Sequence, residues 1–419
     1  MSSVLSCAME RRAKVLDWIR QHRDSISTPC YLYDELTLDH AIHAYRELLP
    51  PNAEVFYSLK ANAQPALLRH LAAANVGFEV GTVGEWRLWA ATPEPSPSLL
   101  VGGVCKGSAF LRKAVARNAQ AVVVTSEAEW NRMRELWQEG CSVPALLRIN
   151  VREVEPAGSS TALSPFGLSA SQADSYASEC PEFIAGLHFY CGSQRLHTQD
   201  ILRSVKNAAL LVLRWWRAGR QTKVVACGLG CGVPFSDRDS SLDYAVLGAG
   251  LKETWKALSS AVAHFWFEAG RILVAECGFF ITRVLEKRHV RGSTVLFVDG
   301  GLQAMDGGFG AARVLRRSPA LCCVSGRKPT NDELVTIMGR LCAPQDQLAA
   351  AVLLPALEER DLVVVPNAGA YCMMTAMWGF NSHEPFSEVI LNRSGQCIAL
   401  TAAPEYWHAY CAATRHETG

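Results

Sequence analysis

Two hydrophobic periods alternate along the first two thirds of the chain, one typical of buried strands and the other of amphipathic helices. Short runs of β-branched and apolar residues predict eight strands, at residues 54–59, 77–80, 98–102, 121–125, 144–150, 184–190, 223–227 and 264–268. Apolar residues at helical spacing separate nearly all of these runs, as at Ile201, Val205, Ala209 and Val212. Eight strand–helix units predict an α/β fold, a (β/α)8 TIM barrel, with an open doubly wound sheet as the alternative.

The pattern changes after Arg271, where the helical spacing gives way to short β runs. These runs lie at residues 281–284, 294–298, 362–366 and 389–391, and the segment 392–395 has the composition of a hairpin turn before residues 397–400. The early run 30–33 is also strand-like and could join them. We therefore predict a barrel over residues 37–280 and a mostly-β domain formed by residues 1–36 and 281–419.

Two helix starts carry local signals. Pro65 opens the helix that follows the first barrel strand, in the first-turn position that proline tolerates. Ser126 is followed three residues later by Glu129, the spacing of a capping box, which predicts reciprocal hydrogen bonds at the start of another helix.

Composition narrows the possible functions. The 419 residues are 49% hydrophobic and 19% charged, which is ordinary for a globular protein of two domains. The net charge of +1 gives no reason to expect nucleic acid or an anionic membrane as a partner. No run is long enough to span a bilayer, and the N-terminus lacks the pattern of a secretory signal. Fifteen cysteines without a CxxC pair predict reduced thiols in a cytoplasmic protein and no metal site.

Polar residues collect at or just after the carboxyl ends of the predicted strands, where a barrel carries its chemistry. They are Lys60, Arg148, His188, Tyr190, Ser193, Gly230, Gly232, Glu268, Gly270 and Arg271. Each has an ordinary structural explanation when taken alone: a surface lysine, a core histidine, a structural arginine or a tight glycine turn. Together, a lysine that can bind an aldehyde, a glycine-rich turn for a phosphate and a carboxylate for a ring nitrogen indicate pyridoxal 5′-phosphate.

Six motifs strengthen this interpretation because of their order along the chain. The sequence resembles fold-type III pyridoxal-phosphate decarboxylases, the family of diaminopimelate and eukaryotic ornithine decarboxylases. The motifs are YSLKAN (57–62), GLHFYCGSQ (186–194), GLGCGVP (228–234), EAGR (268–271), GRLCAPQD (339–346) and GAY (369–371), with Phe380 and Asn381 behind the last one. They cover nearly the whole chain, and the resemblance implies the barrel with an alanine-racemase-like β domain.

The resemblance also implies individual roles. Lys60 would hold the cofactor as a Schiff base, and Glu268 would pair with the pyridine nitrogen, where a racemase of this fold has an arginine. A carboxylate there makes the ring a strong electron sink, which favours decarboxylation. The phosphate region would be bound by Ser193, Gly230, Gly232, Gly270, Arg271 and Tyr371.

A second set of roles concerns the C-terminal motifs. By resemblance, Cys342 would protonate Cα after loss of CO2, although a buried inert thiol is the alternative. Asp346 would contact the substrate, or would instead cap a helix at Gln347. Family members are commonly homodimers, in which Cys342 and Asp346 reach the partner subunit's cofactor.

Departures from the family pattern concern the substrate. Tyr190 replaces a histidine that commonly stacks on the cofactor ring, and Ala343 stands where an acid would hold the distal amine. We therefore expect a small-molecule substrate in which an amino acid is already joined to a larger acid or carrier, as in citrate-type siderophore assembly. The alternatives are a diaminopimelate or diamino acid decarboxylase, an amino acid racemase and a non-catalytic pyridoxal-phosphate-binding protein.

Overall fold

The structure, a computed structural model, describes residues 2–92, 97–153, 164–220, 222–306, 318–328 and 331–400. It divides into two compact units. The barrel unit comprises Ala44–Val233 and Ser240–Ile272, and the β-rich unit comprises Met1–His43, Pro234–Asp239 and Leu273–Gly419. The predicted barrel limits of 37 and 280 lie several residues outside these boundaries, and the excursion at 234–239 has no counterpart in the prediction.

The described residues contain ten α-helices and seventeen strands. The helices are α1 Ser2–Gln21, α2 Glu35–Leu48, α3 Pro65–Ala73, α4 Val83–Ala90, α5 Ser108–Ala116, α6 Glu127–Gln138, α7 Ala170–Glu179, α8 Thr198–Arg217, α9 Tyr244–Leu258 and α10 Arg271–Val274. The strands are β1 Cys30–Asp34, β2 Ala53–Ser58, β3 Gly77–Val80, β4 Leu99–Val101, β5 Ala121–Val124, β6 Ala145–Ile149, β7 Ile184–Tyr190, β8 Thr222–Gly228, β9 Val262–Ala269, β10 Gly278–Val290, β11 Ser293–Val298, β12 Cys322–Val324, β13 Asp332–Met338, β14 Gln347–Pro355, β15 Leu362–Val365, β16 Ser387–Leu391 and β17 Cys397–Ala399.

Strands β2 to β9 form a closed parallel barrel, which confirms the predicted TIM barrel. Strand β2 pairs with β3 on one side and with β9 on the other, so the sheet has no edge and the open-sheet alternative is wrong. Apolar side chains fill the interior, and the rings of Phe56 and Trp266 lie 5.2 Å apart, centroid to centroid. Since the interior is packed, chemistry is left to the ends of the strands.

The helices around the barrel follow the sequence signals, with one exception. Helix α3 begins at Pro65 as predicted. At α6 the Ser126 hydroxyl accepts the Glu129 N–H, but the predicted capping box is wrong in its second half. Both Glu129 oxygens are engaged elsewhere: one accepts the N–H and hydroxyl of Thr125 at 2.8 Å and the ammonium of Lys106 at 2.9 Å, and the other accepts the Lys106 N–H. The buried lysine needs a carboxylate partner, which explains the difference.

The β-rich unit is a nine-stranded sheet whose main path runs β14-β13-β11-β10-β1-β16-β17. Strand β1 lies between β10 and β16, so the prediction that the early strand joins this sheet is confirmed. The predicted hairpin is also present, because the Asn392 carboxamide accepts the N–H groups of Ser394 and Gln396 between β16 and β17. Strands β12, β13 and β14 were not predicted.

Candidate active site

Lys60 lies at the carboxyl end of β2, in the single 3₁₀ turn Leu59–Ala61. Its neighbours in the turn are buried, whereas 54% of the lysine side chain is exposed. The Tyr57 hydroxyl donates to the Asn62 carbonyl at 2.8 Å, and the Asn62 side chain accepts the Gln64 N–H at 3.0 Å. These bonds fix the turn beneath the lysine, so that its amine is presented at the rim of the barrel.

Glu79, which the sequence analysis missed, is the charged neighbour of Lys60. It lies one residue before the end of β3, beside Ser58, and its Oε2 lies 3.6 Å from the lysine Nζ. A Cβ on Gly102 would lie 2.1 Å from the other carboxylate oxygen, so the glycine provides the space that Glu79 occupies. A single charge within the apolar run 77–80 was the signal that could have identified it.

Glu268 lies near the end of β9 and pairs with His188 of β7. The His188 Nε2 is 2.8 Å from Glu268 Oε1, and both side chains are at least nine-tenths buried. Burial disfavours the charged carboxylate, but His188 and the positive charges of Lys60 and Arg148 outweigh it and lower the pKa of Glu268 to about 2. Glu268 is therefore ionised at physiological pH, as a partner for a protonated ring nitrogen must be.

Tyr190 and Arg148 lie next to this pair. The Arg148 guanidinium is 5.2 Å from the centre of the Tyr190 ring, a cation–π distance. Tyr190, Gly228 and Glu268 occupy matching positions on three adjacent strands. A Cβ on Gly228 would lie 3.2 Å from the Tyr190 ring and 3.5 Å from Glu268 Oε2, so glycine keeps the aromatic ring and the carboxylate close together.

The predicted phosphate turn is made by two loops, residues 191–195 and 228–232. The Arg195 N–H donates to the Gly230 carbonyl at 2.9 Å, and the Gly232 N–H donates to the Arg195 carbonyl at 2.8 Å. Gly230 has a φ of +70°, and a Cβ there would lie 2.2 Å from the Gly192 carbonyl oxygen. Ser193, in the loop 191–195, is exposed. The glycines thus allow the two loops to pack closely against each other, as in the glycine-rich turns that bind phosphates.

Arg195 is a second residue that the sequence analysis missed. Its guanidinium donates to the Cys191 carbonyl and, at 2.7 Å, to the Ser204 hydroxyl of α8. It therefore ties the first of the two loops to the helix behind it. Gly270 and Arg271 follow β9 at the same end of the barrel, where Arg271 is buried and begins α10.

These residues fit pyridoxal 5′-phosphate. The barrel end provides an exposed amine at Lys60, an ionised carboxylate at Glu268 and a glycine-lined turn at 228–232. Among the described residues, no cluster of three or more histidine, cysteine or acidic side chains is arranged to hold a metal ion. The same residues contain no helix that is both long and apolar enough to cross a membrane.

The remaining predicted site residues lie in the β-rich unit. Cys342 is exposed, and its N–H donates to the Asn381 side chain at 3.2 Å. Asp346 is 1% exposed, and its two oxygens accept the N–H groups of Leu302 at 2.6 Å and Leu341 at 2.8 Å. Since β14 begins directly afterwards, Asp346 does not cap a helix. Its contact with substrate stays a prediction, as does phosphate binding by Tyr371, which has a φ of +67°.

Three known enzymes are similar to this chain in sequence. The L-glutamyl-[BtrI acyl-carrier protein] decarboxylase of Niallia circulans is 28% identical over 88% of this chain and 89% of its own. The 2-[(L-alanin-3-ylcarbamoyl)methyl]-2-hydroxybutanedioate decarboxylase of Staphylococcus aureus is 28% identical over 86% and 93%. A diaminopimelate decarboxylase of Deinococcus radiodurans is 30% identical over 82% and 85%.

Solved structures show the same fold. The crystal structure of diaminopimelate decarboxylase from M. jannaschii matches with a TM-score of 0.82 at 21% identity, covering 93% of this chain and 92% of that one. The family described as pyridoxal-dependent decarboxylase, pyridoxal binding domain, matches residues 36–275. That range contains Lys60, Glu268 and the glycine turn. The chain therefore belongs to the pyridoxal-dependent decarboxylases, whose cofactor is pyridoxal 5′-phosphate.

Proposed function

We propose that this protein removes the α-carboxylate from an amino acid that is joined to a larger carboxylic acid. The observation that carries the reaction type is the buried pair of His188 and Glu268, which holds an ionised carboxylate at the same barrel end as Lys60. A carboxylate at this position, rather than the arginine of a racemase, would keep the ring nitrogen protonated, so that the ring could accept negative charge.

Pyridoxal 5′-phosphate, when bound, supplies an aldehyde that links to amino groups and a ring that accepts the electron pair left by departing CO2. Lys60 would hold this group through Nζ. Glu268 would keep the proton on the ring nitrogen, and the turn at 228–232 would hold the phosphate. Tyr190 offers an aromatic face that carries no charge at neutral pH. After the Cα–carboxylate bond breaks, the Cys342 thiol gives its proton to Cα, where a C–H bond forms.

We assign Cys342 to the reaction because it is exposed on a loop whose backbone is held from both sides. In the proposed active form, a homodimer, the Cys342 loop of one protomer completes the Lys60 site of its partner. The resemblance to the ornithine and diaminopimelate decarboxylases supports this arrangement. Sedimentation of the purified protein would detect the dimer directly.

The substrate class is inferred from the relatives and from Ala343. The names of two relatives describe amino acids attached to a carrier protein or to a hydroxybutanedioate, and neither is a free diamino acid. Ala343 supplies no acid for a distal amine. We accordingly propose a role in siderophore-type or related natural-product assembly. Diaminopimelate decarboxylation is the second candidate, since a relative of that name is 30% identical.

The test is CO2 release by the purified holoenzyme from a panel of substrates. The panel contains 2,3-diaminopropionate joined to citrate by an amide, glutamate on an acyl carrier protein, and free diaminopimelate, ornithine and lysine. We expect the citrate conjugate to give the highest kcat/KM. Rapid turnover of free diaminopimelate would favour the second candidate instead, and exchange of the Cα proton without CO2 release would identify a racemase.

A further inference from the structure

The loop that carries Cys342, residues 339–346, contains two charged side chains with opposite orientations. The Asp346 carboxylate is turned inward and is bonded to the backbone of Leu302 and Leu341. A Cβ on either Gly301 or Gly339 would lie 2.2 Å from one of its oxygens, so the two glycines allow the chain to close around the carboxylate. The acid of this loop is thus already engaged by peptide donors and is not presented to solvent.

Arg340, in contrast, is exposed two residues before Cys342. Within the part of the chain that the structure describes, its guanidinium has no acidic partner within salt-bridge distance. His383 lies close enough for the charge of Arg340 to act on it: burial first, and then this positive charge, lower the pKa of His383. The loop therefore presents one exposed cation two residues before Cys342, with a histidine near it that is held towards its neutral form.

The segment that faces the loop fixes this arrangement. Asn381 accepts the Cys342 N–H, and both Asn381 and Ser382 have left-handed backbone conformations, with φ of +58° and +51°. Such conformations are uncommon for residues other than glycine and persist where the surroundings hold them in place. Arg340 is therefore attached to a loop whose backbone is hydrogen-bonded at Leu341 and Cys342, two residues before the thiol.

We propose that Arg340 determines substrate specificity by binding a carboxylate on the distal part of the substrate. A guanidinium matches a carboxylate with two parallel N–H donors, and it repels the distal ammonium of a free diamino acid. The loop thereby selects amino acid conjugates that carry at least one additional carboxylate. This inference rests on the proposed function only in that Cys342 lies at the reacting carbon; the positive charge beside the thiol can be measured without any turnover.

The first test measures the local charge through the thiol itself. Peptide mass spectrometry would follow alkylation of Cys342 by anionic iodoacetate and by neutral iodoacetamide, with exposed Cys105 as the internal reference. Removing one nearby positive charge should lower the iodoacetate-to-iodoacetamide rate ratio at Cys342 about threefold in low salt. We expect this in Arg340→Gln but not in Arg340→Lys, with the ratio at Cys105 constant. An unchanged ratio at Cys342 in Arg340→Gln overturns the proposal.

The second test uses carboxylate ligands. Citrate should slow iodoacetamide labelling of Cys342 in the wild type and lose this protection in Arg340→Gln. In the holoenzyme, the same substitution should raise KM for the citrate conjugate about tenfold or more, with a smaller change in kcat. CO2 release with an unaltered KM overturns the role of Arg340 and leaves the decarboxylase intact. Failure of the wild type to release CO2 from any substrate contradicts the proposed function, while citrate protection still decides whether Arg340 binds carboxylates.

Discussion

His188 Nε2 lies 2.8 Å from Glu268 Oε1 at the carboxyl end of the barrel. Because an ionised carboxylate can only accept hydrogen bonds, Nε2 carries the proton in this contact. The Nδ1 atom is buried and has no hydrogen-bond partner among the described residues. The sequence analysis left His188 as either a cofactor ligand or a core histidine, and in the structure it is the direct partner of the Glu268 carboxylate.

Glu268→Gln should change how stability depends on pH. The folded pKa of Glu268, about 2, is below its ordinary value of 4.5, so its ionisation stabilises the fold above pH 4.5 and this contribution disappears as the pH falls towards 2. Urea denaturation of the two cofactor-free proteins should therefore show the wild type more stable by about 1–3 kcal/mol at pH 6, with a difference that shrinks below pH 4.5. A difference that stays constant from pH 6 to pH 3 would contradict the pairing.

Lys60→Ala and Lys60→Arg should both abolish turnover and the near-visible absorbance that pyridoxal phosphate acquires when bound to an amine. Neither replacement side chain forms a Schiff base, although arginine retains the positive charge next to Glu79. The Lys60→Arg variant would thus separate the loss of covalent chemistry from the loss of the ion pair, which thermal melting would report. Bound, coloured cofactor in either variant would show that another amine serves as the attachment point.

Gly230→Ala should weaken binding of pyridoxal phosphate at least about tenfold, because the added methyl group collides with the Gly192 carbonyl inside the phosphate turn. Gly219→Ala is the matched control: its φ of +79° is also left-handed, but no atom lies within 4 Å of the added Cβ. Absorbance titration of the cofactor into both variants measures the effect. Equal affinities would mean that the turn does not hold the phosphate.

Lys106→Met should destabilise the barrel by about 3–5 kcal/mol, because it leaves the buried charge of Glu129 without its partner. In the double variant Lys106→Met, Glu129→Gln, no unpaired charge remains, while the amide can still accept from Thr125. We expect the double variant to recover part of the loss. Equal stability of the two variants in chemical denaturation would show that the unpaired charge of Glu129 does not cause the loss of stability.

Cys342→Ala should reduce correct protonation of the product and leave the cofactor's absorbance unchanged, since the thiol is not among the residues assigned to bind it. Product analysis in deuterated water would reveal a drop in the stereochemical purity of the new C–D bond. Cys105→Ala, which removes the other exposed thiol of the described residues, serves as the control. Loss of activity in Cys105→Ala alone would indicate that the proton donor is Cys105, in the barrel unit, and not Cys342.

Most of the barrel could be predicted because its signals are local. All eight predicted strands are present, and those at 77–80 and 184–190 have the predicted limits. Strands β13 and β14 were missed even though β14 contains a continuous apolar run over residues 348–354. Leu334 and Leu353, two exposed large apolar residues of the described chain, pair across these strands, so their apolar character does not mark a buried face. The capping box failed for another reason, since Glu129 is satisfied by Lys106, which lies 23 residues away.

The sequence by itself determined the barrel, the early strand of the β sheet and the identity of the residues at the strand ends, since hydrophobic period and strand ends are properties of neighbouring residues. The tertiary structure decided which of those residues meet. Closing the barrel joins His188 to Glu268 across 80 residues and sets Glu79 beside Lys60. Folding of the β-rich unit turns Asp346 inward and leaves Arg340 exposed. These contacts depend on closure of the barrel and on competition for buried hydrogen-bond donors, and no local sequence pattern indicates either.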